Sequence, residues 1–162
     1  MNWPYLHILI NHFPIVLTIV GSAALLLALI VRQRIVWVYA LATLTLAGLS
    51  IYPVFFTGDR AADATEHTWY IVRSAVEEHD QSAGFALPAV LLMGAVSAYA
   101  WWRMVRREVT GLPPVWLRAV VSLLAVFGLS VVIRTAYLGG KIVHESPKLE
   151  TPQSGAATSN AR

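Results

Sequence analysis

Five histidines are the residues of this chain best suited to chemistry, and they cluster around the ends of its apolar segments. They are His7, His12, His67, His79 and His144. Imidazole is the commonest metal ligand in proteins and titrates near neutral pH. The histidines therefore indicate a metal site, a haem site or proton chemistry. Cysteine is absent from the sequence, which excludes thiolate ligands and cysteine-ligated iron–sulfur clusters.

The elements that must position these histidines are four long apolar segments. Hydrophobic residues make up 57% of the 162 residues and charged residues only 13%, whereas soluble domains carry about 25% charged residues. A bilayer core of about 30 Å needs about 20 helical residues to cross it. The predicted fold is an all-α integral membrane protein, an antiparallel four-helix bundle within residues 1–145. We predict its spans over residues 5–31, 35–56, 83–102 and 115–138.

Arginines predict the orientation of the spans. They mark two short connections, the first at Arg32 and Arg34, the second at Arg103, Arg106 and Arg107. Short, positively charged loops face the cytoplasm. Both termini are therefore expected on the periplasmic side of a bacterial inner membrane, together with all the histidines. We interpret the basic residues as a topology signal, so no nucleic-acid partner is expected. Because arginines follow the first segment, we expect a span there and not a cleaved signal peptide.

Two regions lie outside the predicted spans. Residues 66–80 contain no Gly or Pro, and Trp69, Val72, Arg73 and Val76 have the spacing of an amphipathic helix. We predict an outer amphipathic helix between spans two and three that continues into span three. Residues 146–162 are rich in Ser, Pro, Thr and Ala, which is typical of a disordered tail, here a periplasmic one. We find no internal repeat in the sequence.

Helical rise and helical spacing both group the histidines. His7, His12, His79 and His144 are expected about 29 to 39 Å above the cytoplasmic ends of their helices. Small and polar residues, which face the interior of membrane bundles, share a face with two of them. The stripe on span one is His7, Asn11, Pro14, Thr18 and Gly21, and that on span three is His79, Ser82, Ala86, Ala89, Met93 and Ser97.

The first span needs a distortion if both of its histidines are to serve one site. His12 follows His7 by five residues, which is about 140° around an ideal helix. Pro14 supplies a candidate distortion, because it has no N–H to donate to the carbonyl of Ile10. His7 and His79 are the inward candidates.

A pair of histidines on facing helices is a common way to hold haem b. We predict His12 with His79 or His144 as axial ligands, and His7 as a neighbouring or alternative ligand. Arg134 lies inside the fourth apolar segment, where a charge is costly. We expect Arg134 and Lys141 to meet haem propionates, although Arg134 equally suits the outer lipid headgroups.

Two other functions fit the same residues. One is a non-haem site for zinc, copper or iron, with His7, His12, His79, His144 and Glu78 as ligands. The other is a cofactor-free structural subunit of a membrane complex. A visible spectrum separates the haem protein from both alternatives, and metal analysis separates the alternatives from each other.

Three stretches of the chain resemble a bacterial membrane family known as domain of unknown function 2231. Residues 6–15, Leu-His-Ile-Leu-Ile-Asn-His-Phe-Pro-Ile, are similar to that family's histidine–histidine–Phe-Pro opening of the first span. Residues 77–80 resemble its acidic–histidine entry to the third span, and residues 135–144 resemble its glycine-pair ending with a histidine. Thr57-Gly58 after span two also fits. Ile8 departs from the Pro of many members, which affects the start of the helix.

The resemblance implies a four-helix membrane module and suggests a redox setting, because some relatives are joined to Rieske-type iron–sulfur domains. These 162 residues contain no cysteine, so we expect no such domain within them. The expected function is a small cytochrome-like subunit that binds haem b at the outer side and passes electrons, with the lipid bilayer and a respiratory or redox complex as partners. The sequence leaves enzymatic activity undecided.

Overall fold

Five α-helices make up the described part of the chain. The computed structural model describes residues 2–66, 72–106 and 111–145, without the side chains of residues 143 and 145. The helices are α1 (Trp3–Ile10), α2 (His12–Val31), α3 (Arg34–Thr65), α4 (Arg73–Arg106) and α5 (Val115–Glu145). No strand occurs in these ranges, so the all-α prediction is confirmed. His67 and the predicted tail at 146–162 lie outside the described residues.

Four helical stretches are long and apolar enough to cross a membrane, as predicted. They are Trp3–Val31, Arg34–Thr65, Arg73–Arg106 and Val115–Ile142. The helices extend further than the predicted spans, because α3 continues nine residues beyond Phe56 and α4 begins ten residues before Ala83. Residues 59–65 contain three alanines and neither Gly nor Pro. A helix therefore continues there although the hydropathy falls.

The predicted amphipathic segment belongs mostly to α4. Residues 73–80 form its first two turns, so the continuation into span three is confirmed. Within the described residues, the predicted outer amphipathic helix is the start of α4, because α3 ends at Thr65 and the next helix is α4 itself. Residues 67–71 lie outside the description. The physical reason is that nothing between Arg73 and Asp80 interrupts a helix, since this stretch contains no Gly or Pro.

The first span is broken between α1 and α2. Asn11 separates the two helices, and its backbone N–H donates to the carbonyl of His7 at 2.9 Å. Pro14 cannot donate to the carbonyl of Ile10, which explains why the regular ladder fails at this point. His7 and His12 consequently lie on different helices and in different surroundings.

The helices close into a ring in which α2 packs on α3, α3 on α4, α4 on α5, and α5 on α2, while α1 packs on α3. At one end of this ring the Arg34 guanidinium donates to the carbonyl of Met104 at 2.6 Å. We call this the arginine end, defined by Arg32, Arg34, Arg103, Arg106 and Arg118. His7 and His79 lie at the opposite end, which we call the histidine end.

Two glycines bring α3 and α4 into direct backbone contact. A Cβ atom added to Gly48 would lie 2.7 Å from the Cα of Gly94, and one added to Gly94 would lie 2.6 Å from the Cα of Gly48. Only glycine permits such an approach, which membrane bundles use to increase van der Waals contact between helices. This contact fixes the level of α4 against α3 and therefore the level of His79.

Candidate functional site

His7 is bound to α3 through its ring nitrogen Nδ1. This atom lies 3.1 Å from the carbonyl oxygen of Val54 and 3.3 Å from Thr57 Oγ1. The Thr57 hydroxyl donates to the same carbonyl at 2.9 Å, so its oxygen accepts from the imidazole. Trp3 and Phe56 make an edge-to-face contact nearby, with ring centroids 5.9 Å apart. These contacts hold α1 against α3 and fix the orientation of the His7 ring.

His79 is bound to α5 in the same way. Its Nδ1 atom lies 3.0 Å from the carbonyl oxygen of Thr135. The Thr135 hydroxyl donates to Val131 at 2.9 Å, and the Ser82 hydroxyl therefore donates to Thr135 Oγ1 at 2.7 Å. The start of α4 is thus joined to α5 by two polar contacts that also orient the His79 ring.

The carbonyl partners determine the tautomer of both histidines. A carbonyl oxygen only accepts hydrogen bonds, so Nδ1 must carry the hydrogen in His7 and in His79. The lone pair of a neutral ring is then on Nε2. Among the described residues, no hydrogen bond involves Nε2 of either ring. Both imidazoles are therefore in the form of a metal ligand, with Nδ1–H on a backbone carbonyl and Nε2 free to bind.

The two histidine sites are structurally equivalent. In each site, a glycine follows the carbonyl residue by four positions, Gly58 after Val54 and Gly139 after Thr135. A Cβ added to Gly58 would lie 2.9 Å from Cε1 of His7, and one added to Gly139 would lie 3.1 Å from Cε1 of His79. Each ring edge therefore rests on a glycine of the neighbouring helix.

The two sites share a local arrangement, although the sequence shows no internal repeat. Two helix pairs, α1–α3 and α4–α5, use the same three-part arrangement of histidine, backbone carbonyl and glycine. Every residue has a backbone carbonyl, so the residue type at the carbonyl position cannot reveal this arrangement in the sequence. The histidine and glycine that remain are too sparse to be detected as a repeat.

The two half-buried histidines lie at the same end of the bundle. His7 on α1 contacts α3, and His79 on α4 contacts α5. This agrees with the prediction that both belong to inward-facing stripes. Thr57 hydrogen-bonds to His7, and Ser82 and Thr135 hydrogen-bond around His79; we call these five residues the polar layer of the histidine end.

His12 and His144, which were predicted as ligands, lie apart from this layer. Both are exposed, His12 in the first turn of α2 and His144 in the last turn of α5. Within the described ranges, neither forms a hydrogen bond or an ion pair with His79. Their assignment as axial ligands stays a prediction, and the geometry favours His7 in place of His12.

The charged residues predicted near a cofactor have other surroundings. Lys141 forms an ion pair with Glu78 at 3.3 Å, next to His79. Arg73 pairs with Glu66 at 3.3 Å and with Glu77 at 3.6 Å. Arg134 is exposed on α5. Exposed ion pairs contribute little to stability, so these pairs mainly keep the carboxylates near His79 neutralised.

No group of three or more His, Asp or Glu residues that could hold a metal ion occurs in the described part of the chain. Glu78, the predicted carboxylate ligand, pairs with Lys141 instead. His7 and His79 are the half-buried histidines of the described residues.

Val54 and Thr135 were not predicted from the sequence, although their carbonyl oxygens accept the hydrogen bonds that orient the two imidazoles. Both act through their backbone carbonyls, so their side-chain types contain no information about the role. The glycines were visible as Thr57-Gly58 and Gly139-Gly140, and the position of each after a span was the available signal. Comparison with protein-family models, with curated proteins and with solved structures finds no match to this chain. The resemblance noted above therefore stays a prediction.

Proposed function

We propose that this chain is an antiparallel four-span bundle of a bacterial inner membrane, with the histidine end on the periplasmic side. Four stretches of sufficient length and hydropathy support insertion. Large apolar side chains are exposed on the outward faces of the helices. Among them are Leu26, Ile30, Leu123 and Val126, which are 61% to 72% exposed. Such a surface is suited to lipid and not to water. The arginine end supports the orientation.

Reporter fusions test this orientation. A reporter fused after Arg34 is expected to be cytoplasmic, and one fused after Arg162 periplasmic, because short loops rich in arginine stay in the cytoplasm. An enzyme active only in the cytoplasm and one active only in the periplasm give opposite readings at each fusion point. The reverse pattern would contradict the placement of the histidine end outside.

We further propose that the chain is a small cytochrome-like subunit that binds haem b through His7 and His79 and passes electrons. The observation that supports this function is the matched state of the two rings, each with Nδ1–H on a backbone carbonyl and Nε2 free. Hydrogen bonding of this kind fixes the orientation of a ligating histidine and raises its basicity.

The composition of the site favours haem over other metal groups. A porphyrin supplies four nitrogen ligands itself, so the protein needs to contribute only two axial imidazoles. Structural zinc sites use four protein ligands and catalytic ones three. The described residues offer no such group around His7 and His79. Non-haem zinc, copper or iron is the alternative that remains, together with a cofactor-free structural role.

Different residues of the chain would bind the haem, orient its ligands and neutralise its propionates. His7 and His79 would supply the axial nitrogens, and the carbonyls of Val54 and Thr135 keep both rings in the ligating tautomer. Haem, when bound, supplies a centre that gains and loses one electron at a time. Thr57 and Ser82 fix the carbonyl residues by hydrogen bonds. Arg134 and Lys141, at the same end, provide positive charge for propionates, with Lys141 shared with Glu78.

Haem and metal analysis of protein from haem-replete cells tests the function. We expect one haem for each copy of the chain and no stoichiometric zinc, copper or non-haem iron. A folded protein that contains stoichiometric zinc, copper or non-haem iron, and no haem, would replace the proposal with the non-haem alternative. A folded protein that takes up neither would leave the structural role.

Gly139 and Gly140 form a matched pair for testing the support of His79. A Cβ at Gly139 would press on the His79 ring, whereas one at Gly140 would meet nothing within 4 Å. Gly139→Ala is expected to weaken haem binding by about 10- to 100-fold, the usual effect of disturbing the support of a ligand. Gly140→Ala should leave affinity unchanged. Equal effects of both substitutions, measured by haem titration of the apoprotein, would contradict this role of Gly139.

A further inference from the structure

Seven buried side-chain polar atoms have no hydrogen-bond partner among the described residues, and all belong to the spanning helices. They are Asn11 Oδ1, Thr18 Oγ1, Ser22 Oγ, Trp37 Nε1, Ser97 Oγ, Arg118 Nε and Ser122 Oγ. Thr18 and Ser97 are completely buried, with 0% of their surface exposed. Burying an unpaired hydroxyl costs free energy, so this group needs a physical explanation.

Four of these atoms are hydroxyls that lack the hydrogen bond made by other hydroxyls of the same helices. Other hydroxyls in the same helices donate to a carbonyl three or four residues earlier, as in Thr43, Thr45, Ser50, Ser130 and Thr135. This local bond satisfies a hydroxyl without any tertiary partner. Thr18, Ser22, Ser97 and Ser122 do not make it. We call these four residues the hydroxyl cluster.

Contacts between helices place part of the hydroxyl cluster at one level of the bundle. Gly21 on α2 lies against Leu44 on α3, and the carbonyl of Leu44 lies close to Gly94 on α4. Ser22 directly follows Gly21, and Ser97 follows Gly94 by three residues. Measured along the helix axes, both hydroxyls lie within about 5 Å of that level.

Four of the other five unpaired atoms lie further along the helices, two towards the histidine end and two towards the arginine end; the fifth is Trp37 Nε1 on α3. On the first span, Asn11, Thr18 and Ser22 are separated by seven and four residues, which places them on one helix face. On α5, Ser122 and Arg118 are four residues apart and share a face for the same reason. Asn11 lies one turn from His7, and Arg118 belongs to the arginine end.

We propose that the hydroxyl cluster holds a file of ordered water, which with Asn11 and Arg118 forms a proton path between the histidine end and the arginine end. A buried water typically makes about three hydrogen bonds to otherwise unpaired polar groups. The hydroxyls supply such groups from α2, α4 and α5. In each transfer a water accepts one proton and releases another, so the file returns to its starting charge. This function does not depend on haem.

Single cysteines test the water directly, because the chain has no cysteine of its own. The probe is methyl methanethiosulfonate, which modifies thiolates, and mass spectrometry follows the reaction. Thr18→Cys and Ser97→Cys are the test variants. Ala40→Cys and Ala47→Cys are the controls, since both alanines are 0% exposed on α3, which contributes no hydroxyl to the cluster.

We expect the test cysteines to react at least about tenfold faster than the controls, because a thiol in dry surroundings has a raised pKa and forms little thiolate. Equal rates in test and control variants would overturn the water file. Ser22→Cys and Ser122→Cys provide a second test pair if a first variant loses its helical circular dichroism. Slow reaction of all four test cysteines also rejects the proposal.

Proton flux tests the path. Protein in vesicles loaded with the pH dye pyranine is exposed to a potassium diffusion potential set by valinomycin. The wild type is expected to admit protons faster than protein-free vesicles. The double variant Thr18→Val, Ser97→Ala should lose this flux, whereas Ser130→Ala should keep it, because the exposed Ser130 hydroxyl bonds to Val126. No flux in the wild type, or full flux in the double variant, would reject the proton path.

Discussion

Replacing either His7 or His79 with alanine is expected to abolish haem binding. In the proposed function, each variant removes one of the two nitrogens that would hold the haem, and the other described histidines, His12 and His144, are exposed. Disturbing only the support of a ligand costs about 10- to 100-fold in affinity, so loss of the ligand itself should exceed that range. Haem titration of the purified apoprotein measures the effect.

His12→Ala and His144→Ala are the matched controls for this result. Both histidines are exposed and lie away from the polar layer, so these variants should bind haem like the wild type. Retention of haem by His7→Ala together with its loss in His12→Ala would contradict the assignment and favour the ligand pair expected from the sequence. Helical circular dichroism of every variant shows whether it remains folded.

Substituting Gly94 with valine is expected to cause the largest loss of stability in the bundle. A Cβ atom alone would lie 2.6 Å from the Cα of Gly48, which is backbone and cannot rotate away. The helices α3 and α4 must therefore separate, and overpacking of this kind costs about 1–3 kcal/mol or more. Thermal unfolding in detergent, followed by circular dichroism, measures the change, and Gly48→Val should behave in the same way.

Gly84 is the control for this substitution. It lies on the same helix as Gly94, and a Cβ added there would meet nothing within 4 Å. Gly84→Ala should be neutral or stabilising by up to about 1 kcal/mol, the gain in helix propensity. If Gly94→Val unfolds at the same temperature as the wild type, the close contact of α3 and α4 does not exist as described.

The inward faces of the spans could be predicted from the sequence with good accuracy. On the first span, Pro14, Thr18 and Gly21 are buried, and on α4 the same holds for Ser82, Ala86, Ala89, Met93 and Ser97. Small and polar residues at helical spacing identify these faces, because lipid does not favour them and neighbouring helices do. The same spacing indicated that His7 and His12 cannot point at one spot of an undistorted helix.

The partners of the histidines could not be predicted in this way. The carbonyls of Val54 and Thr135 are backbone atoms, and every residue of the span has such an atom. The choice between His7 and His12 also depended on which helix face meets α3, and the break at Asn11 alters that relation locally. Depth along an ideal helix therefore grouped all four histidines, although His12 and His144 are exposed and His7 and His79 are half-buried.

Hydropathy likewise marked the spans and missed the ends of the helices. The charged residues at 59–65 and 73–80 lower the hydropathy without interrupting the helical backbone. As a result, α3 and α4 project beyond the apolar segments. Arg73 at the start of α4 pairs with Glu66, which directly follows α3, and with Glu77 one turn further along α4.

The visible spectrum of the purified, dithionite-reduced protein tests the haem assignment most directly. Two imidazole ligands would make the iron low-spin, so we expect sharp α and β bands that disappear in both His7→Ala and His79→Ala. A colourless, helical wild-type protein that cannot be reconstituted with haem would contradict it. So would a spectrum that survives the simultaneous replacement of His7 and His79.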